Sequence, residues 1–180
     1  GESLHKRGWR RFQGRAPLAE TLAAAVVMHS GWDRRSPLID PFCGSGTILI
    51  EAALLASGRA PGSFREHFAF QHFPDHDERQ WQRQLAEAEA RVRPLGKTLI
   101  LGSERDAAVL EGARENLAAA GLEGAIQLEQ ADVASFAPRK GWNAWIVTNP
   151  PYGERVGEGE DLVRLYRGFG DRLRELCGGY

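Results

Sequence analysis

Two cysteines in 180 residues, Cys43 and Cys177, are too few for a disulfide-stapled scaffold, so free thiols of an intracellular chain are expected. No stretch approaches the roughly 20 consecutive apolar residues that a membrane-spanning helix needs, and no signal-peptide pattern opens the chain. The expectation is a cytoplasmic protein with no membrane partner. Neither sign of charge is in excess: Lys and Arg total 23 against 24 Asp and Glu, a net charge of −1. Bulk electrostatics therefore selects neither a polyanionic nor a polycationic partner. Metal-binding patterns are missing too. His67, His72 and His76 lie near Asp75 and Asp77, but no Cys-x-x-Cys or His-Glu-x-x-His spacing supports a site, and no metal is expected.

The charge that is present is unevenly placed. Residues 1–15 hold Lys6, Arg7, Arg10, Arg11 and Arg15 against Glu2 alone, with Trp9 and Phe12 interleaved. Two readings stand: an arm that contacts phosphate and stacks on bases, or a solvated terminus whose aromatics tuck against the domain.

Periodicity gives an alternation of strands and helices. Helical spacing covers 16–29, with Leu18, Leu22, Ala25, Val26 and His29 on one side and Pro17 in the first turn. Short apolar strands are expected at 36–40, 97–101, 125–128 and 142–148. Helices are expected at 47–57, 78–93, 106–120 and 161–177, the last with Leu162, Leu165, Phe169, Leu173 and Leu176 inward. This is the α/β pattern with a parallel sheet. Residues 58–94 break the rhythm with an aromatic run and a polar helix, and read as an insertion or lid. The expected organisation is a basic segment and lead-in helix over 1–30, then a core over 31–180.

The chain is organised around Leu38-Ile39-Asp40-Pro41-Phe42-Cys43-Gly44-Ser45-Gly46-Thr47. An apolar run ends at Asp40, a glycine-bearing turn follows, and a helix starts near Thr47. In that geometry a cofactor sits beyond the carboxyl end of a parallel strand. Glu104, after the second strand, either caps the next helix or accepts ribose hydroxyls, and it stands 58 positions beyond Gly46. A dinucleotide fingerprint places its acid about 20 residues on, which disfavours a nicotinamide enzyme. Far downstream stands Asn149-Pro150-Pro151-Tyr152, a rigid turn after an apolar strand.

Together these stretches resemble the Rossmann-like, class I S-adenosylmethionine-dependent methyltransferases that modify exocyclic amines. With the leading segment Leu4–Arg10 and the stretch Ala16–Ala24, the chain is similar to the catalytic domain of bacterial 23S rRNA guanine N2-methyltransferases. The resemblance implies the following. Asp40, Phe42, Cys43, Gly44, Ser45, Gly46, Thr47, Glu104, Arg105, Asp132 and Asn149 bind S-adenosyl-L-methionine. Glu104 replaces the more usual aspartate, and Asp132 takes the adenine amine. Asn149, Pro150, Pro151 and Tyr152 are catalytic: two acceptors orient a poorly nucleophilic amine, and the tyrosine stacks on a flipped base. Lys6, Arg7, Arg10 and Arg155 contact the RNA. The implied partners are 23S rRNA or a large-subunit assembly intermediate, and a THUMP RNA-binding domain on the full chain. Seven strands are usual in the family, so the sheet here is expected to be cut short after its fourth strand and helix. Guanine N2 methylation of tRNA, adenine N6 methylation of DNA, glutamine methylation of a release factor, and a non-catalytic RNA-binding fragment stay open as alternatives.

Overall fold

A computed structural model describes residues 3–14, 17–152 and 159–178. Four parallel strands, β1 (Leu38–Asp40), β2 (Ile100–Glu104), β3 (Gln127–Gln130) and β4 (Trp145–Ile146), form one sheet in the order β3-β2-β1-β4. Among the described residues five α-helices accompany them: α1 (Glu20–His29), α2 (Thr47–Ser57), α3 (Glu78–Ala90), α4 (Ala107–Ala119) and α5 (Gly159–Leu176). The reversal of strand order between β1 and β4 opens a crevice at the carboxyl ends of the strands.

Both faces of the sheet are covered. On one, Leu38, Ile100 and Val147 pack with Val27, Leu49, Ile50, Ala52, Ala53, Leu117 and Trp9. On the other, Ile39, Val133, Phe136 and Ala144 meet Phe169 of α5, whose ring sits edge-on to Phe42 and Phe136. The predicted inward stripe of α5 is confirmed: Phe169 is buried and Leu162, Leu165, Leu173 and Leu176 are half-buried. The outermost strand β3 carries exposed Gln127, Glu129 and Gln130, and this polar edge discourages pairing with another chain.

Several expectations shift; the third and fourth strands, expected at 125–128 and 142–148, lie at Gln127–Gln130 and Trp145–Ile146. The second strand lies at Ile100–Glu104 rather than 97–101, because pairing of Leu38 with Ile100 and of Glu104 with Gln130 carries the ladder into polar residues. Helix α1 is turned from its predicted face, burying Glu20, Ala23, Ala24 and Val27 while Leu22 is 53% exposed. Its alanines face α2, where small residues let two helices approach closely, and Glu20 is drawn in by an arginine of the arm. Helix α2 is buried almost all round rather than on one side.

Residues 58–94 leave the end of α2 and return to the start of β2, and Arg65 among them reaches the Ser3 and Lys6 carbonyls of the N-terminal arm. Arg93 N donates to the Ser57 carbonyl at 2.8 Å, closing the excursion at its base. Phe68, Phe70 and Trp81 form their own aromatic cluster, with ring centroids 5.0–5.5 Å apart.

The N-terminal arm is not a loose terminus. Trp9 is fully buried, and the Phe12 ring lies on α4 where Gly112 leaves space for it. Asn116 of α4, also fully buried, clamps the arm: its Oδ1 accepts from the Arg11 and Phe12 amides at 2.7 and 2.8 Å. Its Nδ2 donates to the Phe12 and Ser45 carbonyls, both at 3.0 Å.

Candidate active site

A cleft of about 410 Å³ opens at the carboxyl ends of β1 and β2 and the segment after β4. That volume lies within the range that holds a cofactor-sized ligand. Asp40, Phe42, Cys43, Gly44, Ser45 and Thr47 form one wall, Glu104 and Arg105 another, and Asn149 joins them. Residues more than 100 positions apart in sequence thus converge on one concavity. Gly46 lies just behind the lining, at φ 81°, where a Cβ would press on Leu117 at 3.3 Å. Glycine is required there to turn the chain into α2.

Asp40 holds the cleft together. Its Oδ1 accepts from the Phe42 amide at 3.1 Å and from Thr148 Oγ1 at 2.6 Å. One buried carboxylate therefore fixes both the glycine loop and the segment that leads to Asn149. Burial pushes the Asp40 carboxyl up to about 7, against the opposing pull of its bonds to Thr148 and Phe42, with nearby Glu104 adding to the rise. An unfolded aspartate loses its proton near pH 4, so between about pH 4 and 7 the folded chain binds more protons than the unfolded one. Stability should fall as pH rises through that window and flatten above it. Asp40→Asn should remove this slope, a result that urea denaturation at pH 5 and pH 8 checks directly.

Glu104 Oε1 accepts from the Asp106 amide at 3.0 Å, which holds the side chain at the cleft rim and leaves Oε2 for a ligand. Asp106 in turn caps α4 through the Ala108 and Val109 amides. Cys43 is buried, and burial together with the Asp40 and Glu104 carboxylates pushes its thiol strongly up, so it is a packed thiol and not a nucleophile. It fills the space above Gly102, where a Cβ would come within 2.3 Å of Leu49 and 3.0 Å of Cys43.

Of the motif after β4, Asn149 lines the cleft, Pro150 and Pro151 are half-buried, and Tyr152 is exposed. The Pro151 carbonyl accepts from Tyr166 Oη at 2.7 Å, tying the turn to α5. Asp132 stands apart from the cleft lining. It is exposed and caps the short helix Val133–Ser135 through the Ala134 amide at 2.8 Å. Arg155 lies outside the described residues.

Arg7 and Arg10, expected against RNA phosphate, are instead committed to carboxylates inside the protein. Arg7 pairs with Glu51 at 3.3 Å, and Arg10 pairs with Glu20 at 3.1 Å. Arg10 also donates to the Leu18 carbonyl at 2.7 Å and to Thr47 Oγ1 at 3.0 Å. The reason is physical: Glu20 and Glu51 are 4% and 3% exposed, and a carboxylate so buried needs a partner. Burial still raises the Glu51 carboxyl, with Arg7 acting against the rise. Lys6, by contrast, is exposed. Sequence reasoning missed Glu20, Glu51 and Asn116. The available signal was a polar residue interrupting the apolar side of each helix.

Residues 7–180 match the family model of the RMKL-like methyltransferase domain, UPF0020. The chain belongs to this family. The Vibrio parahaemolyticus protein "Ribosomal RNA large subunit methyltransferase K/L" is 45% identical over 99% of the chain. The chain spans about a quarter of that relative, 26% of its length. Among solved structures, SMU.472, complexed with SAH, superposes with a TM-score of 0.88 at 36% identity, covering 98% of this chain and 45% of its own. A Listeria monocytogenes protein described as a predicted N6-adenine-specific DNA methylase gives a TM-score of 0.86 at 39% identity, covering 96% and 45%. The RMKL-like fold is the Rossmann-like class I methyltransferase fold, here with four parallel strands.

Proposed function

We propose that the chain is the catalytic part of an S-adenosylmethionine-dependent enzyme that methylates the exocyclic N2 of a guanine in 23S rRNA. The observation that carries the reading is Asn149 lining the same cleft as Asp40, the glycine loop and Glu104. A relative whose name specifies large-subunit ribosomal RNA, aligned over nearly the whole chain, supports the substrate. The structure solved with SAH supports the cofactor.

The cofactor, when bound, supplies a methyl group on a sulfonium, which leaves as a neutral thioether when the carbon bonds to nitrogen. In this reading Glu104 accepts the ribose hydroxyls, and Asp40 and the Phe42–Thr47 backbone face the methionyl part. The guanine N2 lone pair is delocalised into its ring, so the amine needs orientation more than a strong base. Asn149 Oδ1 and the Pro150 carbonyl are the two acceptors for its hydrogens, turning the lone pair toward the methyl group. The nitrogen sheds one proton to solvent as the new bond forms. Tyr152, exposed beside them, is the stacking face for a flipped base. Asp132 is the candidate for the adenine amine, reached at the carboxyl end of β3. The remaining expectations, a THUMP domain on the same full chain and a cytoplasmic location, belong to this proposal.

The test uses the whole gene product and labelled S-adenosylmethionine with unmodified 23S rRNA, tRNA and duplex DNA offered in parallel. N2-methylguanosine in 23S rRNA alone, identified by mass spectrometry of nucleosides, is the expected result. N2-methylguanosine in tRNA would move the substrate, and N6-methyladenine in DNA would replace the reading.

A further inference from the structure

Beside the cleft runs a second groove of about 560 Å³, bounded by the N-terminal arm on one side and the start of α1 on the other. Its lining includes His5, Lys6, Arg10, Arg11 and Gln13, with Glu20 as its acid. Glu20 is 4% exposed and ion-paired with Arg10, so these two charges cancel within the wall. Lys6 and Arg11 are exposed, which leaves the groove with two outward cations and the ring of His5 in a chain whose overall charge is −1.

The groove and the cleft share a wall. Pro17 and Leu18 line both. A strand lying in the groove therefore passes directly to the cleft where Asn149 stands. The groove is also preformed. Arg11 and Phe12 are held by the buried Asn116, and Arg65 Nη1 donates to the Ser3 and Lys6 carbonyls at 3.0 and 3.1 Å. A rigid cationic track loses little entropy when a polyanion settles in it.

We infer that this groove carries the phosphodiester backbone of the single-stranded RNA flanking the target guanine, with Lys6 and Arg11 on phosphates. The inference rests on the proposed function and deepens it. It moves the RNA contacts from the internally paired Arg7 and Arg10 to residues that face solvent. A lining dominated by cations and polar groups favours a nucleic-acid backbone over an apolar protein helix.

The test is the double variant Lys6→Glu/Arg11→Glu in the whole gene product, assayed for methyl transfer to its RNA over a range of salt. Both side chains are exposed, and a thermal shift with S-adenosylhomocysteine verifies folding and cofactor binding. The milder Lys6→Ala/Arg11→Ala replaces the double reversal should that variant not fold. The KM for RNA should rise about tenfold or more, and the slope of log affinity against log salt should shrink by about 1.4, roughly 0.7 for each lost single-strand phosphate contact. The KM for S-adenosylmethionine should stay within about twofold, as expected for phosphate contacts remote from the cofactor. Lys97→Glu/Lys140→Glu, the same change of charge at two exposed residues outside the groove and the cleft, controls for bulk electrostatics. An RNA KM and salt slope equal to those of wild type, or an equal loss in the Lys97/Lys140 variant, would overturn the inference. Failure of the proposed function looks different: a product other than N2-methylguanosine, whatever the double variant does.

Discussion

Asn149→Ala should lower methyl transfer by at least about 10²–10³-fold, as losing one preorganised hydrogen-bonding group does at other polar active sites. The KM for RNA and the affinity for S-adenosylhomocysteine should change much less, because the loss falls on orientation of the amine in the transition state. The fold gives the variant little reason to misfold. Asn149 is half-buried, while the bond that anchors the preceding residue, Thr148 Oγ1 to Asp40, stays in place. Single-turnover rates with preloaded labelled cofactor separate the chemical step from release. Full turnover in a folded, cofactor-binding Asn149→Ala protein would remove the proposed mechanism.

Asn116→Ala should cost about 3–5 kcal/mol, because two amides and two carbonyls lose their partner in a buried place. For a chain of this size that is a fall in Tm of roughly 10 °C. The loss is also functional. The Ser45 carbonyl belongs to the glycine loop, and the Arg11 and Phe12 amides belong to the arm, so one side chain sets the arm against the cofactor wall. Weaker binding of S-adenosylhomocysteine should accompany the loss of stability. Urea denaturation with calorimetric titration of the same variant measures both. A change within about 0.5 kcal/mol would show that water replaces the clamp without penalty.

Asn116 also illustrates what could and could not be read from the chain. The glycine loop and the segment 149–152 were legible because each compresses its geometry into consecutive residues: a strand end, a turn with glycine, a helix start; a strand, then two prolines. Helix α2 was placed at its observed bounds because Gly46 and Gly58 punctuate it on both sides. The last helix was legible because an amphipathic stripe 18 residues long leaves no competing face. Long-range compensation was not legible. The basic residues of the arm read as solvent-seeking, yet Arg7 and Arg10 meet Glu51 and Glu20, whose burial depends on how α1 and α2 pack. The face of α1 was missed for the same reason. An isolated pattern favours leucine inward, whereas Glu20 with its arginine and the alanines of close helix packing turn Leu22 outward. Strand limits slipped where pairing partners, and not hydropathy, decide them: Ser103 and Glu104 join β2 only because Glu129 and Gln130 lie alongside.

The central claim is spatial: the methyl donor, the amine and Asn149 meet in the cleft at the ends of β1 and β2. Its most direct measurement is a crystal structure of the whole gene product with S-adenosylhomocysteine and a short guanine-bearing RNA. The account predicts ribose hydroxyls on Glu104 and the guanine N2 within hydrogen-bonding distance of Asn149 Oδ1. The N2 should face the thioether sulfur with room for one methyl between them. A cofactor seated elsewhere, or a base whose amine lies beyond the reach of Asn149, would contradict it.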